Sequence, residues 1–455
     1  MSVQNSPDNS QRREANSGCG CLLLVMLIAV GVASFFAIAE NADFPGADTL
    51  RTVGREVDEL YQQSRQRLSG NDVPEEPKQP SPPVAAATPE PPSQSSAARP
   101  SSTEPATTYA TSQRPDLRHY EYKTYMLELI NNERAKAGVP PVVLGDNIAA
   151  QLHAENALAN CFSGHWGVDG LKPYMRYSLA GGYQSSEENA TGSDYCIKDS
   201  DRYRALGNIR TEVREAMEGW MNSPGHRRAI LGKWHRRVNI GLAWDKYNFK
   251  GVQQFEGDYV EYSQLPGITD GILSFSGSAI NDLRFSGREE LGLQIYYDPP
   301  PHSLSRGQVS RTYCLNPGLR IASLRYPLTG NYFWEEDEYE AEYSLCPDPL
   351  DVPRNAPAPR SFEEAREFWE RAYNASQTRD EQTIIVPLIT ASEWTARGTD
   401  FSVTADISGL LSDYGPGVYT VTLWGEMGGE DALISEYSIF HEIEPPDTYS
   451  SDHWK

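Results

Sequence analysis

Three residues of this sequence, His165, Glu188 and His226, have side chains suited to ligand binding or proton transfer, and each lies near a glycine or proline turn. His226 follows Ser223 and Pro224, a helix-start pattern in which serine can cap the helix and proline suits its first position. His226 would then be the third helical residue, where free N–H groups and the helix dipole disfavour an imidazolium ion. A neutral imidazole can bind a metal ion or accept a proton. The alternative is that His226 is a surface histidine in a turn. A functional role for His226 therefore requires that the three side chains share one cleft.

The chemistry of these side chains allows more than one function. The imidazoles of His165 and His226 and the carboxylate of Glu188 can occupy three sides of a tetrahedral zinc site, whose open position would activate water for hydrolysis. Without a metal, the same groups could perform acid–base chemistry or hydrogen-bond to one another as the floor of a polar cleft. The sequence has no HExxH motif and no serine or cysteine nucleophile with a neighbouring motif. The catalytic residues therefore stay unassigned, and zinc is an option for His165 and His226.

Helices and strands must position these side chains, and their patterns are mixed. Apolar residues recur at helical spacing between Tyr122 and Arg134 and again between Ile209 and Met221. Val238 to Trp244 and Val252 to Glu256 alternate as strands. Because no regular strand-helix-strand repeat is present, the pattern predicts a three-layer α+β unit rather than a parallel doubly wound sheet.

Residues 117–262 resemble the CAP superfamily of cysteine-rich secretory proteins, antigen 5 and pathogenesis-related 1, also called SCP domains. The matching motifs stand in the family's order, and the tryptophan motif has the form typical of bacterial and archaeal members: Leu129-Ile-Asn-Asn-Glu-Arg134, Ser163-Gly-His165, Glu188-Asn189, Trp220-Met-Asn-Ser-Pro-Gly-His226-Arg227, Asn239-Ile-Gly-Leu242 and Gln253-Gln-Phe255.

The resemblance implies an α-β-α fold used mainly for binding, with a cleft of two histidines and two acidic residues. His165, Glu188 and His226 occupy three of those places. At the fourth place, three residues after Trp220, this chain has Ser223. This difference disfavours hydrolysis more than metal binding.

The charge and the cysteines indicate the surroundings of the protein. A net charge of −23 argues against a nucleic-acid partner, which would require clustered Lys and Arg to displace counterions. Four downstream cysteines lack any CxxC spacing, and in an oxidising compartment they can pair in three ways. The local pairing costs the least chain entropy, so we expect disulfides between Cys161 and Cys196 and between Cys314 and Cys346.

The N-terminal segment predicts export and a membrane tether. Leu22 to Ala39 is an uncharged apolar run with Arg12 and Arg13 before it and acidic residues after it, so the N-terminus should stay inside. Ala37-Ile-Ala39 is also an acceptable signal-peptidase site, so secretion after cleavage is the alternative. The predicted organisation is 1–21 cytoplasmic leader, 22–39 transmembrane anchor, 40–70 juxtamembrane helix, 71–116 disordered Pro/Ser/Thr-rich stalk, 117–265 CAP domain, 266–445 β-rich domain and 446–455 tail.

The C-terminal half has no recognisable catalytic motif. Short strands with regular turns predict an antiparallel β-sandwich-like domain, interrupted by one helix that Ser361 and Glu364 open as a capping box. Aromatic residues such as Tyr297 and Trp394 fit core packing, with a carbohydrate or protein surface as the alternative.

These observations together predict an exported, membrane-tethered α+β protein that binds an extracellular ligand (lipid, glycan or protein) or a cell-surface component. The predicted binding cleft contains His165, Glu188 and His226. The alternative is a metal-dependent extracellular hydrolase that uses His165 and His226, with zinc as the metal. Contact with the membrane is expected through one helix, and contact with nucleic acid is not expected.

Overall fold

The structure is a computed structural model that describes residues 118–198, 203–312, 317–344, 347–377 and 382–449. The predicted leader, anchor, juxtamembrane helix and stalk lie outside the described residues, as do Cys314 and Cys346. Across the part of the chain that is described, no helix has both the length and the apolar character needed to cross a membrane. The predicted disulfide between Cys161 and Cys196 is present, with the two Cα atoms 5.6 Å apart.

The helices of the described residues are α1 (Tyr120–Lys136), α2 (Ala149–Asn160), α3 (Pro173–Leu179), α4 (Ile209–Asn222), α5 (Pro224–Ile230), α6 (Arg306–Val309), α7 (Phe362–Gln377) and α8 (Ser408–Tyr414). The strands are β1 (Val143–Leu144), β2 (Ser186–Thr191), β3 (Arg237–Trp244), β4 (Phe249–Glu256), β5 (Val260–Thr269), β6 (Ile272–Ala279), β7 (Gly292–Asp298), β8 (Leu319–Arg325), β9 (Glu338–Tyr343), β10 (Gln382–Thr390), β11 (Glu393–Arg397), β12 (Asp400–Asp406), β13 (Gly417–Met427) and β14 (Glu430–His441).

The first sheet has the strand order β1-β3-β4-β2, with β1 and β3 parallel and the other pairs antiparallel. One face of β3 contributes Val238, Ile240 and Leu242 to an apolar core shared with α1, α4 and α5. The opposite face packs against α2, where a Cβ atom on Gly241 would lie 2.0 Å from the carbonyl oxygen of Ala150. The glycine in the Asn-Ile-Gly-Leu motif therefore allows α2 to approach the sheet, and helices cover both faces.

The C-terminal half contains two further sheets, ordered β14-β13-β7-β8-β10-β9 and β11-β12-β6-β5. Side chains from these two sheets form one apolar core. Leu293 and Val421 contribute from the six-stranded sheet, and Phe275 and Phe401 contribute from the four-stranded sheet that contains β6 and β12. The expectation of an antiparallel domain requires one correction, because β8 and β10 pair in parallel. The connection between them passes through β9 and α7 and is long enough for a parallel crossover, which strand alternation in the sequence does not reveal.

The boundary expected between residues 265 and 266 falls inside β5. This strand pairs with β6 from Val260 opposite Ala279 to Thr269 opposite Ile272. The β-rich half therefore begins at Val260, directly after the last strand of the first sheet. Alternation in the sequence marks a strand, but it does not show which sheet the strand joins.

Candidate functional site

His165 lies in the loop between α2 and α3, and its backbone is fixed on both sides. Its N–H donates to the carbonyl oxygen of Thr312 at 2.8 Å, and its own carbonyl oxygen accepts from Nη1 of Arg176 at 2.8 Å. The disulfide between Cys161 and Cys196 restrains the start of this loop. The imidazole is therefore held by an ordered backbone.

Glu188, on the edge strand β2, lies behind His165 and is buried. Its Oε1 is 3.1 Å from Nδ1 of His165, and Nη2 of Arg176 donates to Oε1 at 3.1 Å and to Oε2 at 2.9 Å. Burial by itself would raise the pKa of the Glu188 carboxyl, but the charge of Arg176 and the neighbouring histidines lower it to about 2. An ionised carboxylate can only accept, so Nδ1 of His165 donates to Glu188, and in the neutral ring Nε2 carries the lone pair.

Arg176, in the short helix α3, organises this arrangement and was not identified from the sequence. Its side chain is fully buried, and Nη1 donates to the carbonyl oxygen of Leu171 at 2.8 Å as well as to that of His165. The guanidinium group of Arg176 therefore fixes the loop at His165 and at Leu171, and it also holds the carboxylate of Glu188. A sequence signal was available, since an arginine between Tyr174 and Tyr177 in an apolar segment indicates a buried ion pair.

His153, in α2, is the second supporting residue that sequence reasoning missed. It is completely buried, its Nε2–H donates to the carbonyl oxygen of Gly164 at 3.0 Å, and Nε2 lies 4.0 Å from Oε1 of Glu188. Burial, together with the charge of Arg176, lowers the pKa of His153 to about 3, so the ring is neutral at pH 7. His153 supports the backbone next to His165 and does not reach the cleft.

His226 is the third residue of α5, which has Ser223 at its N-cap and Pro224 in its first turn, as the sequence predicts. The Ser223 side chain makes no capping hydrogen bond. Burial, followed by the proximity of His165, lowers the pKa of His226 to about 4. The ring is therefore neutral at pH 7, and burial rather than the helix terminus is the main cause.

The family-like motifs hold α5 in place. Nδ2 of Asn189 donates to the carbonyl oxygen of His226 at 3.1 Å, which fixes the first turn of the helix. Nη1 of the buried Arg134 donates to the carbonyl oxygen of Ile230 at 2.6 Å, which fixes its last turn. Nε1 of Trp220 donates to the carbonyl oxygen of Ala190 at 3.1 Å, and this hydrogen bond joins α4 to β2. These residues position His226 from both ends of its helix.

His165 and His226 line one cavity of about 420 Å³, here called the cleft. Glu188 does not line it and supports His165 from behind. Trp369 of α7 contributes to the wall, so a helix of the C-terminal half borders the cleft; no sequence motif indicated this residue. The remaining lining residues are small, polar or aromatic: Ser163, Ala190, Thr191, Gly192, Gly219, Trp220, Asn222, Ser223 and Pro224.

The donor atoms of the cleft do not fit a resident zinc ion. Zinc sites in proteins use three or four nitrogen, sulfur or oxygen ligands. Both oxygens of Glu188 are hydrogen-bonded to Arg176, whose positive charge opposes a metal ion beside that carboxylate. Within the described residues, no group of three or more His, Cys, Asp or Glu side chains is arranged to hold a metal ion. His165 and His226 are therefore two imidazoles for which the described part of the chain supplies no third ligand.

Comparison with known proteins gives a family match for part of the chain. Residues 127–255 match the model of the CAP family, the cysteine-rich secretory protein family, so the chain contains a CAP domain within an α+β fold of several sheets. A crystal structure of an extracellular protein containing an SCP domain from Bacillus anthracis str. Ames is similar at 19% identity, with a TM-score of 0.25. The match covers 30% of this chain and 41% of that chain. A search among curated proteins gave no match.

Proposed function

We propose that this chain is an exported protein whose CAP domain binds a neutral, hydrogen-bonding ligand in the cleft of His165 and His226. The observation that carries the proposal is the chemistry of the cleft walls: imidazoles, hydroxyl groups, an amide and indole rings, with no charged side chain among the described lining residues. A charged ligand would lose hydration there without gaining a counterion. A neutral ligand rich in hydroxyl and amide groups can form hydrogen bonds with these wall groups.

Export is supported by the disulfide between Cys161 and Cys196, since disulfides persist in oxidising compartments. The tether is inferred from the apolar run at 22–39 and its flanking charges. Carbonate extraction of membranes separates the two possible outcomes. A tethered chain stays in the pellet with its N-terminus inside the cell, whereas a chain released by signal cleavage is found in the medium.

A hydrolase is the second candidate, and one observation favours it. The carboxylate of Glu188 orients His165 so that Nε2 is free for the cleft, which is the arrangement that a general base requires. For the metal-dependent version of this proposal, His165 and His226 are the only candidate ligands among the described residues that line the cleft. Metal-free hydrolysis would therefore depend on His165 as the base and on a bound water as the nucleophile.

Calorimetric titration with matched oligosaccharides tests the binding proposal. Tetra-N-acetylchitotetraose is neutral and rich in amides, whereas its deacetylated counterpart has the same backbone and several positive charges. We expect the neutral probe to bind at least about tenfold more tightly. His226→Ala and Trp369→Ala should each weaken its binding about tenfold, and Arg227→Ala, an exposed neighbour of His226 in α5, should have no effect.

Three results would contradict the proposal: no binding of the neutral probe, equal binding of both probes, or binding that is insensitive to His226 and Trp369. Hydrolysis is followed in the same samples through the release of new reducing ends. Turnover that disappears in His165→Gln while probe binding persists would favour the hydrolase. Intact probe after prolonged incubation would favour binding alone.

A further inference from the structure

A second cavity, of about 340 Å³, lies where the loop after His165 meets the C-terminal half of the chain. It shares no lining residue with the cleft. We call it the proline-walled cavity, because the run Pro299–Pro301, directly after β7, forms part of its wall. Its volume is near the lower end of the range for small-molecule sites, which is roughly 300 to 1,000 Å³. It can hold one or two rings rather than a long chain.

Much of the wall of the proline-walled cavity consists of flat aromatic and proline rings. Tyr297 and Tyr414 lie side by side with their ring centroids 5.1 Å apart, and the hydroxyl of Tyr297 donates to the carbonyl oxygen of Pro416 at 3.1 Å. Trp166 adds an indole ring, and Pro299–Pro301 contribute no backbone N–H donors. These rings can contact C–H groups, while the polar side chains of His302 and Asp348 also line the cavity.

A charged pair forms the inner end of this cavity. Nζ of Lys172 donates to Oδ1 of Asp298 at 2.6 Å, and both side chains are more than nine-tenths buried, at 7% exposure each. The other oxygen, Oδ2, accepts from the hydroxyl of Tyr174 at 2.7 Å and from the N–H of Gly318 at 3.2 Å. The ammonium group has three N–H donors, and within the described residues only Asp298 accepts one. Lys172 therefore offers donors, and Oδ1 of Asp298 has a second acceptor position beside them.

Apolar rings around an adjacent donor and acceptor match one class of ligand. A pyranose ring presents C–H groups on its faces, which pack on aromatic and proline surfaces. It also presents neighbouring hydroxyl groups on its edge, and each of these both donates and accepts hydrogen bonds. Lys172 carries one positive charge against the carboxylates of Asp298 and Asp348, so the site disfavours an anionic sugar.

We propose that the proline-walled cavity binds a neutral pyranose residue of a glycan, stacked on Tyr414 and hydrogen-bonded to Lys172 and Asp298. A proline-rich peptide also packs on aromatic walls, but its prolines offer carbonyl acceptors and no donor for Oδ1 of Asp298. The sugar is therefore the better match, and the peptide serves as a competing probe.

The site adjoins the cleft through one loop. His165 lines the cleft and the next residue, Trp166, lines the proline-walled cavity, while Arg176 holds the loop from beneath through the carbonyl oxygens of His165 and Leu171. Substitutions intended as tests should therefore avoid this loop. Tyr414 and the exposed Leu350 line the cavity from the C-terminal half and meet this requirement.

The test uses the full-length chain with the neutral methyl pyranosides of glucose, galactose, mannose and N-acetylglucosamine, followed by saturation-transfer NMR and calorimetry. At least one sugar should bind. Tyr414→Ala should weaken its binding about tenfold, as expected for the loss of a stacking ring. Leu350→Asn, at an exposed position that should not affect folding, should weaken it several-fold. Tyr332→Ala, a control tyrosine on the surface at 80% exposure, should leave it unchanged.

Trp369→Ala separates this proposal from that of the cleft. Sugar binding that depends on Tyr414 and not on Trp369 supports the second site, whether or not the cleft binds its own ligand. Binding that depends on Trp369 alone assigns the sugar to the cleft and overturns the second site. The second site is also overturned if none of the four sugars binds, or if a decaproline peptide binds in a Tyr414-dependent manner in their place.

Discussion

The substitution Glu188→Gln should destabilise the protein to an extent that depends on pH. The Glu188 carboxylate is buried and accepts from Arg176 at 2.9 Å, and Arg176 is itself fully buried. Glutamine keeps the shape of the side chain but leaves the guanidinium without a counter-charge. Removal of one partner of a buried ion pair costs about 3–5 kcal/mol. We expect the free energy of unfolding at pH 7 to fall by at least the lower of these values.

The pKa of Glu188 gives an independent magnitude and the direction of the pH dependence. The difference between an ordinary value of 4.5 and about 2 in the folded chain is equivalent to about 3 kcal/mol of stability at pH 7. Because the folded-state pKa is the lower one, this contribution is complete above pH 4.5 and is lost as the pH falls towards 2. Protonated Glu188 resembles glutamine, so the two proteins should converge in stability at acid pH.

Urea unfolding, followed by tryptophan fluorescence at several values between pH 7 and pH 3, measures this difference. Glu187→Gln is the matched control, because Glu187 is the adjacent residue on β2 but is one-third exposed and lies 3.4 Å from His235. The control should change stability by less than about 1 kcal/mol. A loss below 1 kcal/mol for Glu188→Gln at pH 7, or a loss that stays constant down to pH 3, would refute the assigned role of the ion pair.

Three other perturbations test separate parts of the structure by the same unfolding measurement. Replacing both Cys161 and Cys196 with alanine opens a link between positions 35 residues apart and should cost about 3–4 kcal/mol. Burial raises the pKa of Glu436 to about 8, so the contribution of Glu436 to stability should fall as the pH rises from 4.5 through 8, and Glu436→Gln should gain stability relative to the wild type over this range. Gly241→Ala should cost about 1–3 kcal/mol through its clash with α2, whereas Gly219→Ala, in open space on a helix, should not destabilise the protein.

Much of the cleft could be inferred from residue types and local patterns. The Ser223-Pro224 start signal fixes where α5 begins, and it therefore fixes the position of His226 in the first turn. Local closure also favoured the pairing of Cys161 with Cys196.

The role of Glu188 could not be inferred in this way. Its charge suggested a ligand, but the structure commits its oxygens to Arg176 and to Nδ1 of His165. Arg176 and His153 lie on other helices, and their contacts with this carboxylate depend on how α2 and α3 pack against β2. Trp369 reaches the cleft from a helix about 140 residues beyond His226, which no local pattern reveals.

The sequence by itself determined several of the helices and strands, the helix start at Ser223, the chemical identity of the two cleft histidines and the local disulfide. Each of these depends on short-range sterics, periodicity or chain entropy. Tertiary structure alone decided that Glu188 supports His165 instead of lining the cleft, that β8 and β10 run parallel, and that α7 borders the cleft. These features depend on contacts between segments far apart in the chain. Local sequence patterns do not distinguish between the possible tertiary arrangements, and burial and the pairing of a few charged groups select one of them.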